Sequence, residues 1–199
     1  LYGTTANTST VRLGTDPLVR AVTWAQRPGG QAEYEVRLSG APYGYLTLWQ
    51  DGAFVLRVRR PPAVDAERPL RGLRIAVDPG HPPIGATGPT GLYEAEMTLA
   101  VGERLRAELE RRGATVLMTR TTAQPVGLAE RPIMARQGDA HAFVSVHGNA
   151  LPDGVNPFLA HGTSTYYFHP HSAPLARLVQ EGMLRRMGLR DLGTFQGNL

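Results

Sequence analysis

The sequence predicts an α/β fold with a mostly parallel sheet and helices on both faces, preceded by a small antiparallel β module. Between residues 18 and 60 apolar and polar residues alternate with period two, as in half-exposed antiparallel strands. After residue 72 short apolar runs alternate with segments of helical periodicity, which is typical of parallel sheets covered by helices. A proline-rich stretch separates the two patterns. We therefore expect a tail or linker at 1–17, the β module at 18–60, a linker at 61–71 and the α/β domain at 72–199.

The composition is that of a folded chain and narrows the possible chemistry. Of the 199 residues 42% are hydrophobic and none is cysteine, which excludes disulfides, thiolate metal sites and cysteine nucleophiles. All 21 basic residues are arginine, and the net charge of +4 suits an anionic partner such as a wall polymer. Because the arginines are scattered, a solvated surface is the simpler interpretation, and no nucleic acid partner is predicted.

The hydropathy and the first residues of the chain are relevant to where in the cell the protein is located. No apolar run reaches the roughly 18 residues that a membrane span requires, so no span is predicted. The chain begins with Leu1 rather than Met, so we expect a processed or cut form, which is compatible with a removed export signal. The small polar residues that follow offer little to bury, which predicts a tail.

The β module is predicted to hold about four strands joined by turns rich in glycine and proline. Asp51-Gly52 between two alternating runs is a strong signal for a hairpin. The module contains no histidine, and its acidic residues lie on strand faces or in turns. We therefore expect a structural or binding role for this module and no catalytic one.

In the α/β domain the first long helix is predicted over residues 94–112. Met97, Val101, Leu105 and Leu109 form an apolar stripe at helical spacing, and Gly113 follows as a cap. The remaining predicted elements are strands at 73–77, 115–119, 142–146 and 163–168, and helices at 128–137 and 173–187.

Three residues are the leading candidates for a functional site. The chain lacks a dinucleotide fingerprint, a phosphate-binding loop, a Gly-x-Ser-x-Gly elbow and a His-Glu-x-x-His helix. His81 and His147 follow predicted strands and Glu94 begins the first helix, so all three can reach one sheet edge. Two imidazoles and a carboxylate suit Zn²⁺, with a fourth position for water. Alternatively, Glu94 only favours the helix N-terminus and the histidines are ordinary strand-end residues.

Five short segments occur together in an order typical of one enzyme family. They are Asp78-Pro79-Gly80-His81, Gly91-Leu92-Tyr93-Glu94, Thr119-Arg120, Leu128-Ala129-Glu130-Arg131 and Ser145-Val146-His147-Gly148-Asn149-Ala150. From residue 73 onward the chain thereby resembles the zinc-dependent N-acetylmuramoyl-L-alanine amidases of the type 3 family. The resemblance implies a peptidoglycan hydrolase of the cell envelope, which cleaves the amide between N-acetylmuramic acid and L-alanine of the stem peptide. It also implies Zn²⁺ on His81, Glu94 and His147.

Two departures from that family pattern affect the expected function. The family carries a catalytic glutamate on a later strand, which the resemblance places beyond Leu199. We therefore assign no catalytic residue and expect the α/β domain to be truncated at its C-terminus. His81 is followed by Pro82-Pro83 where the family has a glycine pair, which is expected to stiffen the loop. The missing glutamate and the basic β module favour an alternative function, a non-catalytic cell-wall-binding protein.

Further polar residues near the candidate site have two interpretations each. Asn149 is a candidate for hydrogen bonding to substrate, or it closes a turn. Asp78 accepts a hydrogen bond that orients a ligand, or it takes part in ordinary Asp-Pro-Gly turn chemistry. Glu96 is either an acidic residue on the surface or a metal ligand in competition with Glu94. His169 and His171 flank a substrate groove or are solvated loop residues.

Overall fold

A computed structural model describes residues 1, 6–151, 154–156, 159 and 161–197 and confirms the predicted fold class. The strands are β1 Ser9–Arg12, β2 Val19–Arg27, β3 Gln31–Leu38, β4 Gly44–Gln50, β5 Ala53–Arg59, β6 Arg74–Pro79, β7 Thr115–Met118, β8 Ala142–Val146, β9 Thr163–Tyr167 and β10 Asp191–Gln196. The helices are α1 Glu94–Arg111, α2 Glu130–Gln137 and α3 Ala173–Met187, with a 3₁₀ turn at Pro170–Ser172. Among the described residues, no helix combines the length and apolarity needed to cross a membrane.

The chain divides into two compact units. The first comprises Leu1–Pro61 with His169–Pro174, and the second comprises Pro62–Phe168 with Leu175–Leu199. The segment His169–Pro174 therefore groups with the first unit, although the sequence places it in the α/β domain at 72–199.

The predicted tail or linker at 1–17 is wrong for part of its length, because Ser9–Arg12 forms β1, and its residues 2–5 lie outside the described residues. This strand pairs antiparallel with β2, and its residues are mostly exposed. Backbone hydrogen bonds to β2 therefore hold β1 in place, although the side chains of β1 bury little surface. Such pairing leaves no hydrophobic signal in the sequence.

The described residues of the first unit form two antiparallel sheets, one in the order β1-β2-β3 and the other formed by β4 and β5. The predicted hairpin is confirmed, since β4 and β5 pair along their whole length around Asp51-Gly52. Both turn residues have positive φ, 50° for Asp51 and 76° for Gly52, as a two-residue hairpin turn requires.

The second unit is organised around β6, the central strand of a parallel sheet in the order β7-β6-β8. Every residue of β6 after Arg74 is buried, so both faces of the strand are covered. On one face Ile75 and Val77 pack against Leu105 of α1. On the other face the side chain of Asp78 contacts Arg131 of α2. The helices therefore cover opposite faces, as predicted.

The buried positions of helix α1 are small or polar residues, and the partly buried Leu105 and Leu109 pack on the core beside them. The buried positions are Glu94, Thr98 and Gly102, one helical turn apart. Val101 is 39% exposed, so its predicted place in the buried stripe is wrong. A Cβ atom at position 102 would lie 2.7 Å from Cγ of Pro79. Glycine at this position therefore lets the helix approach the carboxyl end of β6 closely, where the ligand candidates lie.

The predicted fourth strand pairs differently from the other three. Within the described part of the chain, β9 is hydrogen-bonded to β10 in a separate two-stranded parallel ladder. Strand β10 was not predicted from the sequence; its residues Asp191–Gln196 include a glycine, and their pairing with β9 has an irregular register. The site described below depends on the sheet of β6, β7 and β8.

Candidate metal centre

The carboxyl ends of β6 and β8 place two histidines side by side. His81 follows β6 after Gly80, His147 directly follows β8, and Glu94 is the first residue of α1. Since β6 and β8 are adjacent parallel strands, their ends meet at one edge of the sheet. The structure thus brings together the three residues that the sequence singled out. Their donor atoms all lie within 4.8 Å of one another.

The carboxylate of Glu94 lies between the two imidazoles. Its Oε2 is 3.2 Å from Nε2 of His81, and its Oε1 is 3.1 Å from Nδ1 of His147. Two ligands held about 2.1 Å from a tetrahedral ion lie about 3.4 Å apart, so these separations fit a shared metal ion. Two imidazoles and a carboxylate are a donor set that suits zinc. The side chain of His147 is 50% exposed, so solvent reaches the cluster.

Glu94 is held in the charged form although it is only 7% exposed. Burial alone would raise the pKa of this carboxyl group. The backbone N–H groups of Ala86 and Gly148 donate to its oxygens at 3.0 and 2.8 Å. These bonds, followed by the charge of His81 and the hydrogen bond with His147, lower the pKa of Glu94 below its ordinary value. The cluster is thereby ready to bind a cation, which needs the deprotonated carboxylate.

Two glycines make room for the ligand side chains. A Cβ atom at Gly80 would lie 2.4 Å from Cε1 of His147. Gly85 has a φ of +74°, and a Cβ atom there would lie 2.7 Å from Cδ2 of His81 and 2.9 Å from Cβ of Glu94. Neither glycine was predicted from the sequence to have a role at the site. The position of Gly80 directly before a candidate ligand was the available signal.

Asp78 has surroundings that neither sequence-based interpretation anticipated. Within the described part of the chain its carboxylate accepts hydrogen bonds from Thr119, Arg131 and Ser145, and from no imidazole. The Arg131 Nη1 to Asp78 Oδ1 distance is 2.7 Å, and both side chains are buried. Asp78 therefore joins the ends of the three parallel strands to α2, beneath the cluster rather than in it.

Sequence reasoning also missed the two buried arginines at this edge. Arg120 follows β7 by two residues, and Arg131 is the second residue of α2. Their guanidinium groups donate to backbone carbonyl oxygens of Pro79, Gly80 and His81. Both arginines lie within segments that resemble the amidase family, and Arg120 comes just after a predicted strand. That location was the only signal of their burial.

The other polar candidates lie outside the cluster. Asn149 follows His147 by two residues and is exposed, and its Oδ1 is 3.4 Å from Oγ of Ser164. Its role in substrate binding stays a prediction. Glu96 is exposed and is not one of the three clustered residues. The rings of His169 and His171 stack on each other with centroids 5.1 Å apart, in the first unit.

A His–Glu–His cluster at the carboxyl edge of a parallel α/β sheet is an arrangement typical of metal-dependent hydrolases. Comparison with protein families gives a more specific result. Residues 75–199 match the family model described as N-acetylmuramoyl-L-alanine amidase. The chain belongs to this family, as the resemblance noted in the sequence indicated.

The chain is also similar to individual proteins, two of which carry amidase names. The chain is 33% identical over 153 residues to the uncharacterized protein YqiI of Bacillus subtilis, which covers 73% of this chain and 71% of the relative. It is 34% identical over 136 residues to the probable cell wall amidase LytH of Staphylococcus aureus, covering 66% of this chain but 44% of LytH. The solved structure of the N-acetylmuramoyl-L-alanine amidase AmiC2 of Nostoc punctiforme aligns with a TM-score of 0.59 and 32% identity, covering 64% of this chain and 70% of AmiC2.

Proposed function

We propose that this chain is a zinc-dependent peptidoglycan hydrolase of the cell envelope, which cleaves the amide between N-acetylmuramic acid and L-alanine of the stem peptide. The observation that carries the proposal is the cluster of His81, Glu94 and His147 in a chain of the amidase family. The substrate bond follows from the family description, and zinc follows from the donor set.

The chain's own residues have distinct parts in this proposal. His81 and His147 present one ring nitrogen each toward the carboxylate of Glu94, which its backbone donors hold deprotonated. The half-exposed ring of His147 leaves the cluster open toward solvent, as a polymeric substrate requires. When bound, Zn²⁺ would polarise the scissile carbonyl group and lower the pKa of a water molecule toward about 7.

Proton transfer needs a further group. The family resemblance implies that a glutamate on a later strand is the general base, and we assign this role to no described residue. Asn149 is proposed to donate a hydrogen bond to the substrate, because its exposed amide lies two residues beyond His147.

The proposal is tested by digesting purified peptidoglycan in the presence of zinc. Hydrolysis of the proposed bond releases a new alanine amino terminus without a new sugar reducing end, so both products are quantified. Because the general base is assigned to no described residue, we expect slow release by the wild type and none by His147→Ala, since a site that has lost one ligand would no longer hold the ion that activates water. His161→Ala, an exposed loop histidine outside the cluster, is the matched control and is expected to keep wild-type activity.

One outcome would replace the proposal with the alternative function. If the protein binds peptidoglycan but releases no alanine amino termini at any zinc concentration, a non-catalytic wall-binding role is the better account. Release of reducing ends without amino termini would mean that the wrong bond has been assigned.

A further inference from the structure

We propose that Arg120 is a positioning residue for the metal centre, which fixes the distance between the backbone segments that carry His81 and Glu94. This inference rests on the proposed zinc function. It adds a residue outside the ligand cluster, whose guanidinium group contacts neither imidazole nor the carboxylate in the described structure.

The guanidinium group of Arg120 bridges the two segments. Its Nε donates to the carbonyl oxygen of Pro79 at 2.8 Å, and its Nη2 donates to that of Gly80 at 2.8 Å. Gly80 directly precedes His81. The same Nη2 donates to the carbonyl oxygen of Ala95 at 2.7 Å, and Ala95 directly follows Glu94. One planar group therefore contacts a backbone carbonyl adjacent to each of the two ligands.

Hydrogen bonds of Thr98 form a second connection between the same two backbone segments. The hydroxyl group of Thr98, one turn into α1, donates to the carbonyl oxygen of Gly80 at 2.7 Å. It also accepts from Nη2 of Arg120 at 3.0 Å. Thr98 is completely buried, with 0% exposure, so water cannot replace these bonds. The turn before His81 is thus tied to the first turns of α1 by two buried side chains.

The turn that Arg120 holds is conformationally demanding. His81 has a φ of 61°, in the left-handed region that residues with a side chain rarely adopt. Such a conformation persists only where surrounding contacts determine it. Hydrogen bonds to the carbonyl groups of Pro79 and Gly80 fix the two residues that lead into it. A shift of this turn would move the imidazole of His81 away from Glu94.

The chemistry of the buried group supports positioning rather than space filling. Arg120 is 5% exposed, and burial, followed by the charge of Arg131, lowers its pKa. Keeping a cation in such a place is unfavourable unless its hydrogen bonds are needed, because an apolar side chain of similar volume fills space at lower cost. A lysine keeps the charge but lacks the rigid fork that reaches several carbonyl groups together.

The test compares Arg120→Lys with wild type and with Arg136→Lys, an exposed arginine on α2, as the matched control. Zinc dissociation constants are measured by competition with a chromophoric chelator, and urea unfolding is followed with and without zinc. We expect the zinc dissociation constant of Arg120→Lys to rise about 10- to 100-fold, the range found for residues that orient metal ligands. Arg136→Lys should stay within about twofold of wild type, since it alters only the surface.

A purely structural role would give a different result. In that case Arg120→Lys would lower stability equally with and without zinc, and the stabilisation that zinc adds would equal that of wild type. That outcome overturns the inference. If Arg120→Lys does not fold, Thr98→Val is measured instead. It removes one hydroxyl group from the hydrogen bonds between the Gly80 turn and α1 and leaves no buried charge without a partner. It should raise the zinc dissociation constant about fivefold, as expected for one lost hydrogen bond, and an unchanged constant would again overturn the inference.

The experiment separates this inference from the proposed function. A wild-type protein that zinc does not stabilise contradicts the proposed function itself and the positioning role with it. A wild type that zinc stabilises, beside an Arg120→Lys variant with unaltered zinc affinity, contradicts the positioning role alone.

Discussion

Two arginine–carboxylate contacts in the second unit have nearly the same geometry in opposite surroundings. Arg131 Nη1 lies 2.7 Å from Asp78 Oδ1, with side chains 5% and 4% exposed. Arg112 Nε lies 2.6 Å from Glu108 Oε1 on α1, with side chains 59% and 43% exposed. Water and salt weaken an exposed pair, whereas breaking a buried pair leaves a charge without solvent. Burial rather than distance therefore decides which pair the fold depends on, and the buried pair lies beneath the candidate metal centre.

The largest expected effect comes from removing the buried carboxylate. Asp78→Ala should lower the free energy of unfolding by about 3–5 kcal/mol, because Arg131 would stay buried without its anion. Urea unfolding of the zinc-free protein measures this change. Glu110→Ala, which removes the carboxylate of an exposed pair with Arg106, is the control and should change stability by about 0.5 kcal/mol or less. If both variants lost the same free energy of unfolding, burial would not decide which ion pair the fold depends on.

A second substitution should separate metal binding from stability at the same sheet edge. In Gly80→Ala the new Cβ atom would meet the ring of His147, which must turn toward solvent. We expect the zinc dissociation constant to rise at least about tenfold, while stability falls by less than in Asp78→Ala. Calorimetric zinc titration and urea unfolding measure the two quantities.

Gly182→Ala on α3 is the matched control for that substitution, since a Cβ atom there meets nothing within 4 Å. It should leave zinc affinity unchanged and stabilise the helix slightly, because alanine favours helix more than glycine does. Unchanged zinc affinity in Gly80→Ala would show that the ring of His147 is not a ligand.

The smallest expected effect concerns the exposed pair and appears only in acid. Hydrogen bonds from Arg111 and then Arg112 lower the pKa of Glu108 from 4.5 to about 2. A lowered pKa stabilises the fold above pH 4.5, and this contribution is lost as the pH falls from 4.5 toward 2. Glu108→Gln should therefore flatten the dependence of stability on pH in that window and change little at neutral pH. A slope equal to that of wild type, measured by urea unfolding at several pH values, would contradict the assignment.

The three clustered residues could be predicted because each one has a local signal. His81 and His147 follow apolar strand segments, and Glu94 begins a helical pattern, so their meeting point follows from how parallel strands align. The hairpin at Asp51-Gly52 had an equally local signal in its turn residues.

The buried arginines could not be predicted in the same way. An arginine in a sequence is most often a solvated residue, and the position of Arg120 just after a predicted strand, within a family-like segment, does not show that its side chain is buried. Its role depends on carbonyl groups of Pro79 and Ala95, far away along the chain. Val101 was misplaced for a related reason, since the close approach of Gly102 to Pro79 and the packing of Leu105 and Leu109 on the core leave Val101 outside the buried face of α1.

The most direct test of the central claim is the zinc content of the purified protein. After dialysis against zinc and removal of free metal near neutral pH, elemental analysis is compared between wild type and His147→Ala. We expect about one zinc ion per wild-type chain and almost none in the variant, because two remaining ligands bind the ion weakly. Equal zinc in both proteins, or none in either, would contradict the assignment of His81, Glu94 and His147 as a metal centre.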